Sequence, residues 1–527
     1  MQKKGEVGYV INSDGAARGI FDALSGRFTC REEPGTRLRV TYLDTFDWSL
    51  RRAGLALCGV DSPSGVLLTL DSLEGGDARI ARMARLPSFA WDLPAGEVRD
   101  RLEPVITVRR LFKVLKVGYA EPTLRIMGKR EKTVARVVVE RSRPGGGDGP
   151  ICRKLPLRLV LVPVRGYEKS MRQVTLFFQQ ELGMESFAAG HPLVMVAPEA
   201  AELEAISGPL LIPLERSMRT DEASKRVFQH LLQSLVRYEG GTRKDLDSEF
   251  LHAFRVAVRR TRAGLARVNG VFSEATLKRY SRDFSWLGMV TSRVRDLDVY
   301  LLKMPEFKKS VPKEIRADLK PLKKVLQQRR NREFRKVVRA LATARYERLK
   351  SSWTEFLEKP VPEQTQLKDA TRPVGQVASE RIWKIYKRVL GRGGRITPES
   401  PAIELHRLRL DAKKLRYLME FFRALYDEEE VARLILSMKS LQDNLGDFND
   451  LEVQQLALRG IAEELTVKRR ETARTLMAMG RLIERLERRH SLERDRFALE
   501  FEQFSCPEMV KLAKRLFGRG AEARRRS

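Results

Sequence analysis

One pattern of basic residues is written twice in this chain. "LHAFRVAVRRTRAGL" begins at Leu251 and "LHRLRLDAKKLRYLM" at Leu405, and both read Leu-His-x-x-Arg-x-x-x-basic-basic-x-Arg. The first supplies His252, Arg255, Arg259, Arg260 and Arg262; the second supplies His406, Arg409, Lys413, Lys414 and Arg416. These side chains suit phosphate. A guanidinium is a planar fork of donors that matches phosphate oxygens, an ammonium is a point charge, and an imidazole beside phosphate is drawn toward its protonated form. On a helix, rungs one turn apart lie about 5 Å apart, which suits successive groups of a phosphate chain.

The spacing predicts helices. At about 100° per residue, Phe250, Leu251, Phe254, Val258, Leu265 and Val268 share an apolar face, and His252, Arg255, Arg259 and Arg262 form a stripe beside it. In the second copy Leu405, Leu408, Ala412, Leu415, Met419 and Phe422 form the face, and His406, Arg409, Lys413 and Arg416 the stripe. Basic rows on helices are ordinarily solvated faces. Three features argue otherwise here. The stripes border the core instead of lying opposite it. They have few acids in sequence reach, Glu420 being the main one, and like charges at i,i+3 and i,i+4 repel. Histidine is scarce, five in the chain, yet two occupy the same place in the pattern.

The copies belong to a longer repeat. His252 and His406 are 154 positions apart, and so are "RDLDV" (Arg295 to Val299) and "NDLEV" (Asn449 to Val453). Two signatures in one register over some fifty residues predict an internal duplication, with two similar helical halves about a pseudo-two-fold axis. Two basic helices facing each other would then form a cationic channel.

The wider sequence frames this. The chain has 527 residues and a formal net charge of +31. Residues 221–527 hold 67 Lys+Arg against 43 Asp+Glu, and residues 1–220 hold 33 against 26, so the excess lies mainly in the second part. It implies a polyanionic partner: nucleic acid, an anionic membrane surface or a phosphate polymer. There is no apolar run long enough to span a membrane, no apolar core of a signal peptide, and no CxxC pair among the four cysteines. A cytoplasmic protein without membrane insertion is expected. P-loop, GxSxG, HExxH and GxGxxG signatures are absent.

Texture changes along the chain. Up to residue 195, short segments such as "RLRVTYLDT", "GVLLTL", "PVITVRR", "TVARVVVERS" and "PLRLVLVPV" read as strands. "RPGGGDGP" reads as a turn, and "APEAAELEAISGPLLIPLERS" as a linker or bridging helix. From Met218 onward long helices dominate, with Pro305, Pro321, Pro360, Pro362, Pro373 and Pro398 expected at the breaks. "GRGGR" (Gly391 to Arg395) reads as a loop. "RRNREFRKVVRALATARYERLK" is a basic amphipathic helix of the kind that contacts nucleic acid or a membrane surface, although aromatics do not interleave the basic stripes as base-stacking platforms would. A multidomain α+β protein is expected: a β-rich domain over 1–197, a linker over 198–217, an all-α domain over 218–515 and a basic, disordered tail over 516–527.

The second part resembles the CHAD domain family. The motifs that carry the resemblance are "LHAFRVAVRRTRAGL", "WLGMVTSRVRDLDVYL", "ELHRLRLDAKKLRYLMEFF" and "LQDNLGDFNDLEV", in the family's order. It implies two four-helix halves that bind inorganic polyphosphate through a basic surface or pore. Transferred by position, the ten residues of the two basic motifs would hold phosphate, with Arg293 and Arg295 as additions. Asp296 and Asp450 would orient basic side chains or cap helices.

The first part resembles a CYTH domain, a triphosphate-tunnel barrel, through "TYLDTFDWSLRRAGLALCG" and "EPVITVRRLFKVLKV" followed by "TVARVVVERS". It departs from the family where the metal-binding carboxylates should be. The opening strand offers only Glu6, and "RLVLVPVRG" offers none. A tunnel phosphatase needs several acidic oxygens for Mg²⁺ or Mn²⁺, so a degenerate CYTH-like domain is expected, with either ion needed only if it is active. Arg37, Arg39, Arg109, Arg136 and Arg158 there either bind phosphate or pair with acids.

The expected function is non-catalytic binding of inorganic polyphosphate, with association to polyphosphate granules. The alternatives are a metal-dependent triphosphatase or polyphosphatase acting through the first domain, and a nucleic-acid-binding protein. No catalytic or metal-ligating residue is assigned.

Overall fold

The computed structural model describes residues 7–33, 39–62, 65–73, 78–128, 131–144, 156–185, 187–188, 212–467 and 473–518. Arg37, Glu6, the turn after Pro144, most of the expected linker and the tail beyond 518 lie outside them. The chain divides into two compact units, Met1–Ser207 and Gly208–Ser527.

Among the described residues, the first unit is an antiparallel sheet with four α-helices. Its strands are β1 (Val7–Ile11), β2 (Cys30–Glu33), β3 (Arg39–Asp44), β4 (Leu55–Ser62), β5 (Gly65–Ser72), β6 (Arg79–Met83), β7 (Phe112–Met127), β8 (Thr133–Pro144), β9 (Leu157–Pro163) and β10 (Phe187–Ala188). They run in the order β10-β1-β9-β8-β7-β3-β4-β5-β6, and β2 pairs with the far half of β7. The helices are α1 (Asp14–Arg27), α2 (Ser49–Arg52), α3 (Glu97–Ile106) and α4 (Glu168–Gln180). One core gathers Tyr9, Phe21, Leu24, Val137, Leu159 and Phe178 beneath α1 and α4. A second gathers Leu43, Leu57, Leu68, Val98, Leu102 and Ile106 beneath α2 and α3.

"PVITVRR" is not a strand. Its first three residues close α3, because Val98, Leu102 and Ile106 recur at helical spacing and are all buried in the second core. That burial overrides the β-branched composition of the stretch.

The second unit is all helical: α5 (Thr220–Arg243), α6 (Ser248–Leu265), α7 (Glu274–Ser310), α8 (Lys320–Leu341), α9 (Ala344–Glu358), α10 (Val374–Gly393), α11 (Ala402–Phe421), α12 (Glu428–Val467), α13 (Ala473–Ser505) and α14 (Pro507–Phe517). Three helices begin at Thr220, Ser248 and Glu274, and three more at Val374, Ala402 and Glu428, each 154 positions on. In each half the fourth helix is broken in two. Thr343 caps the piece after one break, and Pro507 opens the piece after the other.

The halves meet about a pseudo-two-fold axis. Arg219 bridges Pro373, its own counterpart. The Thr220 amide donates to the Arg372 carbonyl at 3.0 Å, and the Val374 amide donates to the Met218 carbonyl at 2.8 Å. These two hydrogen bonds are images of one another under the repeat.

Two local expectations need correction. Pro305 lies inside α7, where buried Met304 and Phe307 hold the last turns against the core despite the lost hydrogen bond. "GRGGR" is partly helical: α10 runs to Gly393, whose missing side chain leaves room for the Phe501 ring, 2.0 Å from where a Cβ would stand.

An ion cluster fixes α8, with Arg330 and Asp298 buried and Asp245 at the surface. Arg330 donates to Asp298 Oδ1 of α7 at 2.8 Å and forks onto the carboxylate of Asp245. Truncation would leave two acids without their cation, so Arg330→Ala is expected to destabilise the helical unit by about 3–5 kcal/mol. Urea unfolding of the full chain, followed by far-ultraviolet circular dichroism, measures this.

Candidate functional site

The stripes sit on α6 and α11, the second helix of each half. Asp247 starts α6 by accepting from the Glu249 and Phe250 amides at 2.8 and 3.1 Å. The apolar faces read from the sequence are buried in both helices, from Phe250 to Val268 and from Leu405 to Phe422. That burial sets each helix's rotation and brings the basic stripe to the edge of the core.

The two helices pack against each other with the stripes on the shared seam. Arg260 of α6 donates to Glu420 of α11 at 3.2 Å, and the same carboxylate lies 3.2 Å from Arg416. Arg259 lies close enough to Arg409 and Lys413 to disfavour the charge on both. At the flanks, Arg255 donates to the Gly288 carbonyl at 3.0 Å and to Thr291 Oγ1 at 2.9 Å, both on α7. Arg409 donates to Asp450 of α12 at 3.1 Å. Asp450 thus orients a basic side chain, while Asp296, its counterpart on α7, lies within electrostatic reach of Arg255.

More acids than Glu420 reach the cations at the seam and its flanks. Lys414 pairs with Asp411 at 3.0 Å, Arg295 with Glu249 at 3.1 Å, and His406 Nε2 with Glu452 at 2.8 Å. The expectation that Glu420 is the main acid is therefore corrected. Asp450 and Glu452 come from a helix whose position the α11 sequence does not reveal, although both stand in the "NDLEV" motif. Their counterparts divide the work differently, since Asp298, the counterpart of Glu452, holds Arg330 instead of a histidine.

Among the described residues, Arg255, Arg259, Arg262, Arg293 and Lys413 have no carboxylate within ion-pair distance. Burial, with Arg259, Arg295 and Arg262 nearby, pulls Arg255 down to about 10. Burial is also the largest cause of the drop of Lys413 to about 8, reinforced by Arg409, Arg259 and Arg416. The seam therefore holds a partly desolvated, undercompensated positive charge. His490 was not singled out from the sequence. Its ring stacks on Phe448 at 4.1 Å, and burial lowers its pKa.

Three buried carboxylates of the first unit are already engaged. Asp44, pushed up to about 7 by burial, accepts the Thr45, Leu50 and Arg51 amides. Asp47 takes Arg52 and Arg109, and Glu140 takes the buried Arg158 directly opposite it in the β8–β9 ladder. Of the cations in question there, Arg109 and Arg158 pair with acids, Arg39 is exposed and Arg136 half-buried. Among the described residues no cluster of three His, Cys, Asp or Glu side chains is arranged to hold a metal ion.

The helical repeat, its facing stripes and its motif order coincide with a known family: residues 226–459 match the CHAD domain. The chain carries a CHAD domain. The match ends inside α12, while the helical unit continues through α14. Among solved structures, the CHAD domain from the plant Ricinus communis is similar at 24% identity and a TM-score of 0.46, over 55% of this chain and 93% of that one. PptA from Streptomyces chartreusis is similar at 16% identity and a TM-score of 0.41, over 54% and 100%. A Bacillus halodurans protein provisionally described as an adenylate cyclase is similar at 14% identity and a TM-score of 0.24, over 37% and 96%. No curated protein matches. Among the described residues no helix is long and apolar enough to cross a membrane.

The seam makes Lys413 a reporter. Its reactivity toward an amine-acylating reagent should rise with a midpoint near pH 8. Arg259→Gln should move that midpoint upward, because it removes a like charge, while leaving the larger desolvation contribution in place. Residue-resolved labelling by mass spectrometry reads both.

Proposed function

We propose that the CHAD domain of this chain binds inorganic polyphosphate without cleaving it, in the seam between α6 and α11. His252, Arg255, Arg259, Arg260 and Arg262 form one wall, and His406, Arg409, Lys413, Lys414 and Arg416 the other. Arg295 and Arg293 extend the first wall along α7. The observation that carries this reading is the approach of Arg259 to Arg409 and Lys413, a group whose ion pair among the described residues is that of Arg409 with Asp450 of α12. Holding such cations together is unfavourable unless an anion joins them. A phosphate chain is a linear series of anionic groups, and each stripe presents cations one turn apart along a run of roughly 15 Å. Neither stripe carries interleaved aromatics for stacking bases, which favours a phosphate polymer over nucleic acid.

Two measurements test the proposal on the full chain. Replacing His252, Arg255, His406 and Arg409 together by alanine should weaken polyphosphate binding by about tenfold or more, while circular dichroism shows the helices retained. Unchanged affinity would refute the site.

The second measurement follows Lys413. A bound phosphate favours its charged form and so raises its pKa above the free value of about 8. Binding then takes up a proton once the pH exceeds that value. Affinity should be flat below about pH 8 and fall above it, whereas Lys413→Arg should remain flat, since arginine stays charged throughout. Calorimetry across pH 6–10 reads this.

A further inference from the structure

Outside the seam, a one-sided charged surface lies on α8. Lys320, Lys324, Arg332, Arg335 and Arg339 are all exposed, and at about 100° per residue they fall within roughly a third of the helix circumference. Gln328 and Asn331 fill the gaps between them. At about 1.5 Å per residue the row runs for roughly 28 Å. No acid lies on this face. The one carboxylate of the helix, Glu333, is buried, and its partners are Lys336 at 2.9 Å and Arg332 at 3.6 Å.

The other half of the repeat shows what a merely solubilising face looks like in this fold. On α13 the buried Ala478, Leu482, Leu486 and Phe497 fall in the same phase as Leu322, Leu326, Arg330 and Leu341 on α8. In that phase the outer face of α13 carries Glu484, Glu487 and Asp495 among its arginines. The acid-free row is thus peculiar to α8. Its rotation is fixed by the buried Arg330 with Asp298 and Asp245.

The chemistry of the row narrows its partner to a polyanion. Leu322, Leu326, Val337 and Leu341 are all buried, so no apolar face remains to lie in a lipid surface. No aromatic side chain stands on the row to stack a base. The row also connects to the seam. Arg293 of α7 is exposed and helps to lower the pKa of Glu333, whose first cause is its hydrogen bond to Lys336. Two residues on, Arg295 is close enough to Arg255 to lower its pKa as well. About 200° apart on α7, Arg293 thus faces α8 and Arg295 faces α6, so α7 carries one cation toward each.

We infer that the outer row of α8 is a second contact surface for the same polyphosphate chain, reached through Arg293, so that the domain holds long chains more tightly than short ones. This rests on the seam being the primary site. A short chain occupies the seam alone, and a longer one runs on along α8. Each added phosphate contact releases counterions, which makes the long-chain affinity steeper in salt.

The test compares tripolyphosphate with long-chain polyphosphate on the full chain, using Lys324→Gln, Arg332→Gln, Arg335→Gln and Arg339→Gln combined. Long-chain affinity should fall by about tenfold with a shallower salt dependence, and tripolyphosphate affinity should change by less than about twofold. A charge-matched control combines Arg474→Gln, Arg481→Gln, Arg485→Gln and Arg488→Gln. If the control lost long-chain binding equally, net charge alone would be responsible and the inference would fall. Loss of duplex DNA binding with long-chain polyphosphate unaffected would assign the row to nucleic acid instead. If the seam variant lost both probes while the α8 variant lost neither, only this inference would fail. If wild-type protein bound neither probe, the seam reading itself would fail.

Discussion

Mutual repulsion among partly desolvated cations is the constraint around which the helical unit is arranged. Arg259 sits against Arg409 and Lys413 across the seam, and Arg255 is crowded by Arg259, Arg262 and Arg295. Such an arrangement is unfavourable in isolation, and the surrounding fold holds it in place. The apolar faces of α6 and α11 are fully committed to the core, which leaves the stripes nowhere else to go. Glu420, Asp450, Asp411 and Glu249 neutralise Arg260 and Arg416, Arg409, Lys414 and Arg295 respectively. We propose that Arg255, Arg259, Arg262 and Lys413 are left for a ligand. The acids hold some cations as positioned donors, and the unpaired ones supply net attraction.

Duplication explains how one short motif makes a two-walled site. A single basic helix at a core edge presents a rail. Two copies related by a pseudo-two-fold axis present two, and the paired hydrogen bonds of Thr220 with Arg372 and of Val374 with Met218 show how the axis is pinned. The copies have since diverged around the stripes. His406 leans on Glu452 near a stacked Phe448–His490 pair, while the position equivalent to Glu452 is spent on anchoring α8. The outer face of α8 carries no acid of its own, and that of α13 does.

Much of the helical unit was legible in the sequence, and the reasons are physical. A period of 3.6 marks the buried faces of α6 and α11 because an amphipathic helix must bury its apolar stripe, and every residue assigned to those faces is buried. A constant offset of 154 marks the repeat because both halves start their helices in the same register. The long-range ion pairs were not legible. Glu249 reaches Arg295 across 46 residues and Asp450 reaches Arg409 across 41, separations that no local pattern encodes. In the sheet unit, "PVITVRR" misled because β-branched composition and helical spacing conflict there, and burial of Ile106 decided the outcome. Pro305 misled in the opposite sense, since core contacts carried α7 past a residue that usually ends a helix.

The central claim is that one phosphate chain touches both walls of the seam at once. A double-mutant cycle on Arg259→Gln and Lys413→Gln, with tripolyphosphate affinity of the full chain measured by calorimetry, tests it most directly. If a single anion bridges the two side chains, the changes should be non-additive, with a coupling of about 1 kcal/mol or more. Strictly additive losses, or no loss from either substitution, would contradict the account.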